Sequence, residues 1–114
     1  MPTQTQLENV DAAISNIRAA EQVLDGLIAS TGDADRLEQL QSSYTVLNGM
    51  LTALLQAQTN LDDVAFEGAT AKLKVTANQV KAQEALIQKA VADVALAAKV
   101  LGYVAQGVTF VMKL

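Results

Sequence analysis

Apolar residues recur along the first half of the chain in alternating steps of three and four. Leu7, Val10, Ile14, Ile17, Leu24 and Ile28 form one such series, with Glu21 filling its remaining position. That spacing places side chains on one face of an α-helix and predicts a helix over about residues 5–30. Ala13, Ala20, Val23 and Leu27 widen the stripe to the breadth that a globular bundle buries. Glu21 is expected where the stripe meets water, or facing a lysine.

A second series follows at Leu37, Leu40, Tyr44, Leu47, Leu51, Leu54, Gln58 and Leu61, predicting a helix over about residues 34–59. The break between the two is Ser30-Thr31-Gly32-Asp33. Gly32 is suited to the left-handed conformation that closes a helix. Asp33 suits the N-cap of the next helix, and Asp35 favours its positive end. Gly49 falls inside the second helix, costs roughly 1 kcal/mol against alanine there, and is read as a mark of close helix approach. Two matched helices of about 39 Å joined by a short turn predict an antiparallel hairpin.

Asn60, Asp62 and Asp63 supply capping residues for a third helix. From there no stop signal appears, and the plain expectation is one helix over 62–113, about 75 Å long. A break near 76–78, at Thr76–Asn78, is the alternative. The predicted fold is therefore all-α, a single helical domain over 1–114. It is an antiparallel hairpin packed on a long C-terminal helix, a three-helix, coiled-coil-like bundle, or four helices if the last one breaks. A 39 Å hairpin flanks only about half of a 75 Å helix.

Residues 64–90 read as an ordinary amphipathic helix, with Leu73, Val80 and Ile87 one heptad apart. Residues 91–112 differ. Valine, leucine, alanine, phenylalanine and tyrosine occupy every face, interrupted by Asp93, Lys99, Gln106 and Thr109. A helix apolar all round is buried on all sides or lies in a membrane. Three roles compete: bundle centre, burial in a homo-oligomer or a partner's groove, and membrane insertion. Val94–Met112 approaches the length that spans a bilayer, but Lys99 inside it costs about 2.5–3.5 kcal/mol. Ala98, Gly102 and Gly107 permit close approach of a neighbouring helix. Leu101, Val104, Val108, Val111 and Met112 are the expected partner or self-assembly surface.

Composition narrows the chemistry. The 114 residues include one proline, Pro2, and four aromatics, and neither cysteine nor histidine. Disulfides, thiolate metal sites and Ser–His–Asp or Cys–His catalysis are thereby excluded. Asp33/Asp35 and Asp62/Asp63 are carboxylate pairs, but each sits at a predicted helix start, where capping explains it. The mid-chain Trp-x-Gly turn of small secreted helical hairpins is missing, since Leu47-Asn48-Gly49 lies within a heptad seam without tryptophan. No enzyme, metal, cofactor or small-molecule substrate is expected.

The net charge of −4 argues against nucleic acid as partner. Residues 1–63 carry nine acids against two arginines, net −7, and residues 64–114 carry three acids against six lysines, net +3. Either the two halves pack together within one chain, or the basic part of one molecule meets an acidic partner. Met1-Pro2-Thr3-Gln4-Thr5-Gln6 has neither a basic patch nor an apolar core, so the expected location is cytoplasmic, or secreted without a cleavable signal peptide.

The leading functional expectation is a non-enzymatic helical interaction protein that self-associates or binds a protein partner through its apolar C-terminal helix. The alternative is a soluble, conditionally membrane-inserting protein, such as a component of a helical pore-forming system. A weaker alternative is an inhibitor or immunity-type binder presenting the acidic face 1–63.

Overall fold

Each helix start is fixed by a side chain that answers the free backbone N–H groups of a first turn. In the computed structural model, which describes residues 2–59 and 62–114, α1 runs Gln4–Ser30 and α2 runs Ala34–Thr59. Thr3 and Gln6 form a capping box at the start of α1. The Gln6 N–H donates to Thr3 Oγ1 at 3.1 Å, and the Thr3 N–H donates to Gln6 Oε1 at 2.9 Å. Asp33 Oδ1 accepts from the N–H groups of Asp35 and Arg36, as the sequence predicts. The expected role of Gly32 does not hold. No described residue has a positive φ, and α1 ends at Thr31 in an extended conformation whose hydroxyl donates to Leu27 O at 2.6 Å.

The C-terminal half departs from the single long helix. It forms α3, Asp63–Ala90, and α4, Val94–Met112. Residues 76–78 do not break; Ala77 is fully buried inside α3. The break falls at Val91-Ala92-Asp93. Val91 is extended, and Asp93 Oδ1 accepts from the N–H groups of Ala95 (2.9 Å) and Leu96 (3.1 Å). This turn matches the one between α1 and α2: three residues, an extended first residue and a capping aspartate at the third. The physical reason is burial. A helix running straight on would leave the apolar face of 94–112 in water, whereas the turn returns it to the hairpin. The longest dimension is accordingly 47 Å, with 20 Å across, rather than a 75 Å rod. Asp62 caps α3 through Ala65 N–H, as expected. The expectations placed on Asn60 and Leu61 lie outside the described residues.

The four helices occupy the corners of a square. α1 packs on α2 and α4, and α3 packs on α2 and α4; among the described residues the diagonal pairs make no close approach. This is an up-down-up-down four-helix bundle. Ile17 and Leu24, Leu40, Leu47 and Leu54, Leu73, Val80 and Ile87, and Val100, Val104 and Val111 fill the core at heptad spacing. Each fully buried leucine or isoleucine contributes about 1.5–3 kcal/mol of transfer free energy. α4 approaches α1 closely at Gly107, where an added Cβ would lie 2.8 Å from Ile17 Cδ1. Gly49 and Gly102, by contrast, face open space, so the close approach expected of them does not occur.

The capping role of Asp93 is measurable. Asp93→Ala is expected to lower stability by about 1 kcal/mol, read as an earlier urea midpoint. An unchanged midpoint would mean that the turn does not depend on this carboxylate.

Candidate functional site

Two features stand out from the regular bundle: a buried polar group and an exposed apolar face. Glu21 points inward from α1 and is only 6% exposed. It meets neither water nor a lysine, the two outcomes expected from its sequence position. Burial pushes its carboxyl above the ordinary carboxylate range. Hydrogen bonding from the Tyr44 hydroxyl and the charge of Arg18 pull it back, and Asp25 adds to the rise. The same hydrogen bond raises the Tyr44 hydroxyl. Glu21 Oε1, Ser43 Oγ and Gln83 Oε1, on three successive helices, are buried oxygens without a hydrogen-bond partner. Among the described residues no group of three or more acidic, histidine or cysteine side chains gathers to hold a metal.

Glu21 has a consequence for pH. Its folded value lies above the ordinary 4.5, so the folded state holds the proton more tightly than the unfolded chain. The associated stability is complete below about 4.5 and is lost as pH rises through the folded value. Glu21→Gln is therefore expected to raise the melting temperature at neutral pH, with the gain shrinking on acidification to about pH 4. A difference between variant and parent that stays constant across this range would contradict the assignment.

The exposed face is on the other side of the molecule. The outward stripe of α1 is Asp11, Ser15, Arg18, Gln22 and Asp25, and that of α2 is Glu38, Ser42, Thr45, Gly49, Thr52 and Gln56. Both are polar apart from one glycine. The outward stripe of α3 is Val64, Gly68, Ala71, Val75, Ala82 and Ala85, interrupted by Asn78. That of α4 is Ala95, Ala98, Gly102, Ala105, Thr109 and Met112. Every large exposed apolar side chain of the described residues belongs to this half: Val94 (83%), Val64 (78%), Val75 (61%), Leu86 (40%) and Met112 (40%).

The residues expected to form the assembly surface divide. Val104 and Val111 are fully buried and Val108 nearly so, because the turn at 91–93 directs them between α1 and α3. They belong to the core, which corrects the expectation for these three. Leu101 is half-buried beside the groove with α3, and Met112 is exposed. The outer face instead consists of Ala95, Ala98, Gly102 and Ala105, residues that the all-round apolar reading did not separate from the valines.

Charge follows the same division. All six lysines lie in the half formed by α3, α4 and the residues that follow. The two halves pack side by side, α1 on α4 and α2 on α3. Among the described residues, and leaving Asp63 aside, no acid is paired with any of these lysines. Lys113 lies over the Phe110 ring, its Nζ 5.3 Å from the centroid. The bundle therefore carries an acidic polar side, α1/α2, and a basic apolar side, α3/α4.

Comparison with known protein families, with curated proteins and with solved structures finds no match.

Proposed function

We propose that this is a non-enzymatic helical interaction protein whose recognition surface is the outer side of α3 and α4. The observation that carries this reading is that, among the described residues, every large exposed apolar side chain stands on α3 or α4, with Leu86 at the α3 edge that faces α2, whereas the outward stripes of α1 and α2 are polar apart from Gly49. Apolar surface concentrated on one face marks a place where another molecule sits. The occupant is a protein partner or another copy of the chain. Photo-crosslinking residues placed at Val75 or Gly102, compared with Ser15 or Thr45, test it in extracts of the source cells. Adducts are expected from the α3 and α4 positions alone. Equal labelling from both sides, or none from α3 and α4, would overturn the reading. Light scattering of the purified chain then separates self-assembly from a foreign partner.

A second reading has its own support. Val94–Met112 is long and apolar enough to cross a membrane by length and composition, with a mean hydropathy of 1.6, and 33% of that stretch is buried in the bundle. A soluble bundle releasing α4 into a bilayer, as in a helical pore-forming system, is consistent with those properties. Leakage of dye from vesicles tests it, and an intact vesicle population at saturating protein would remove it.

A further inference from the structure

Resting on the reading of α3/α4 as the recognition surface, the distribution of charge specifies what the surface takes. α4 lies antiparallel to α3, and Gln88 and Lys89 line the groove between them together with Ala98 and Leu101. Lys81 and Lys74 stand one and two heptads before Gln88, on the same edge of α3. On the other flank of the α4 stripe, Lys99 and Lys113 share one edge two heptads apart. The small apolar strip Ala98–Gly102–Ala105 is thus bordered by Lys99 and Lys113 on one side and by Lys81 and Lys74 on the other, where the half-buried Glu84 stands one turn from Lys81 as the single acid at the level of the strip. Glu67 continues the Lys74–Lys81 edge, but beyond the level at which α4 ends.

We propose that the α3/α4 groove binds an acidic amphipathic helix of a partner protein, an apolar stripe flanked on both sides by aspartate or glutamate. Alanine and glycine at the centre of the strip let a helix backbone come close. Lysines along both borders pair with acids at the positions that flank a helical seam. A second copy of this chain fits less well, because its own α3/α4 face would set lysine against lysine, and its acidic α1/α2 side presents no apolar stripe. A bilayer fits less well too. Alanine and glycine bury little area in the interface, where bulky apolar and aromatic side chains are what bind. The half-buried Tyr103 and Phe110 are the aromatics of α4.

The test uses the full chain and a defined probe. A fluorescent synthetic helix of three heptads, with leucine and alanine in its seam and glutamate on both flanks, is titrated against the protein. Its twin carries lysine on the flanks. The glutamate helix is expected to bind, to weaken as salt rises, and to lose roughly tenfold or more in affinity with Lys81→Glu or with Gly102→Glu. Nothing lies within 4 Å of a Cβ added at Gly102, so that substitution leaves the fold in place. Melting temperatures equal to the parent's establish this for both variants. Binding of both helices alike, or of neither, would overturn the proposal. So would anionic phosphatidylglycerol vesicles binding where the glutamate helix does not, or dimerisation abolished by Gly102→Glu. Crosslinked adducts from Gly102 with a partner lacking an acidic helix would reject this inference while leaving the broader reading standing. Absence of such adducts would reject both.

Discussion

Replacing Val104 with aspartate is expected to cost about 4 kcal/mol and to leave much of the chain unfolded at room temperature. Val104 is fully buried among the α1, α3 and α4 side chains. An aspartate there is a charge in an apolar interior without a cation to meet it, and its desolvation is repaid by nothing. The total stability of a domain this size is about 5–15 kcal/mol, so the loss takes a large share of it. The control is Ala105→Asp on the exposed side of the same turn of helix. It is expected to change stability by no more than about 0.5 kcal/mol. Urea unfolding followed by circular dichroism reads both. Similar midpoints for the two variants would mean that α4 does not present one face inward, and the packing described for it would be wrong.

The second large effect concerns two glycines of the same helix that sequence treats alike. At Gly107 an added Cβ would stand 2.8 Å from Ile17 Cδ1 and 3.1 Å from Cγ1. Ile17 is fully buried and held by neighbours on all sides, so it yields only by displacing them. Gly107→Ala is expected to cost about 1–3 kcal/mol through overpacking, against a helix-propensity gain of about 1 kcal/mol. At Gly102 nothing lies within 4 Å, and Gly102→Ala keeps that gain in full. The two variants should therefore move the melting temperature in opposite directions. A stabilising Gly107→Ala would show that α1 and α4 do not approach as closely as the Ile17 contact requires.

Much of the bundle was legible from spacing. The α1 and α2 boundaries follow from the heptad series and from Asp33, a capping residue set between two apolar runs. The α3–α4 turn was not legible, for an identifiable reason. Val91-Ala92-Asp93 contains neither glycine nor proline, and Val91 and Ala92 continue the apolar text on both sides. Asp93 therefore read as a polar interruption of a long helix instead of the N-cap of a new one. What decides the matter is long-range. The apolar face of 94–112 finds cover only if the chain turns back onto α1 and α3.

The candidate surface was half legible. Residues 91–112 do hold the anomaly, but an all-round apolar count gives every residue equal weight. Side-chain size carries the distinction. Val100, Val104, Val108 and Val111 face in, and Ala95, Ala98, Gly102 and Ala105 face out. The exposed Val64 and Val75 stand in line with Leu86 on the α3 edge toward α2, in a segment that reads as an ordinary amphipathic helix. Glu21 was recognised as the exception in its stripe. Its burial against Tyr44 depends on how α2 is set against α1, which spacing within one helix does not report.

The central claim is that α4 has an inner face closed by the bundle and an outer face open for recognition. The chain contains no cysteine, so single cysteines introduced one at a time through residues 97–112 report on each position separately. Their rates of reaction with a water-soluble thiol reagent test the claim directly. Cysteines at 100, 104 and 111 should be protected, and those at 98, 102 and 105 should react as fast as the unfolded chain, giving a wave of helical period. Uniform protection along the helix, or uniform reactivity, would contradict it.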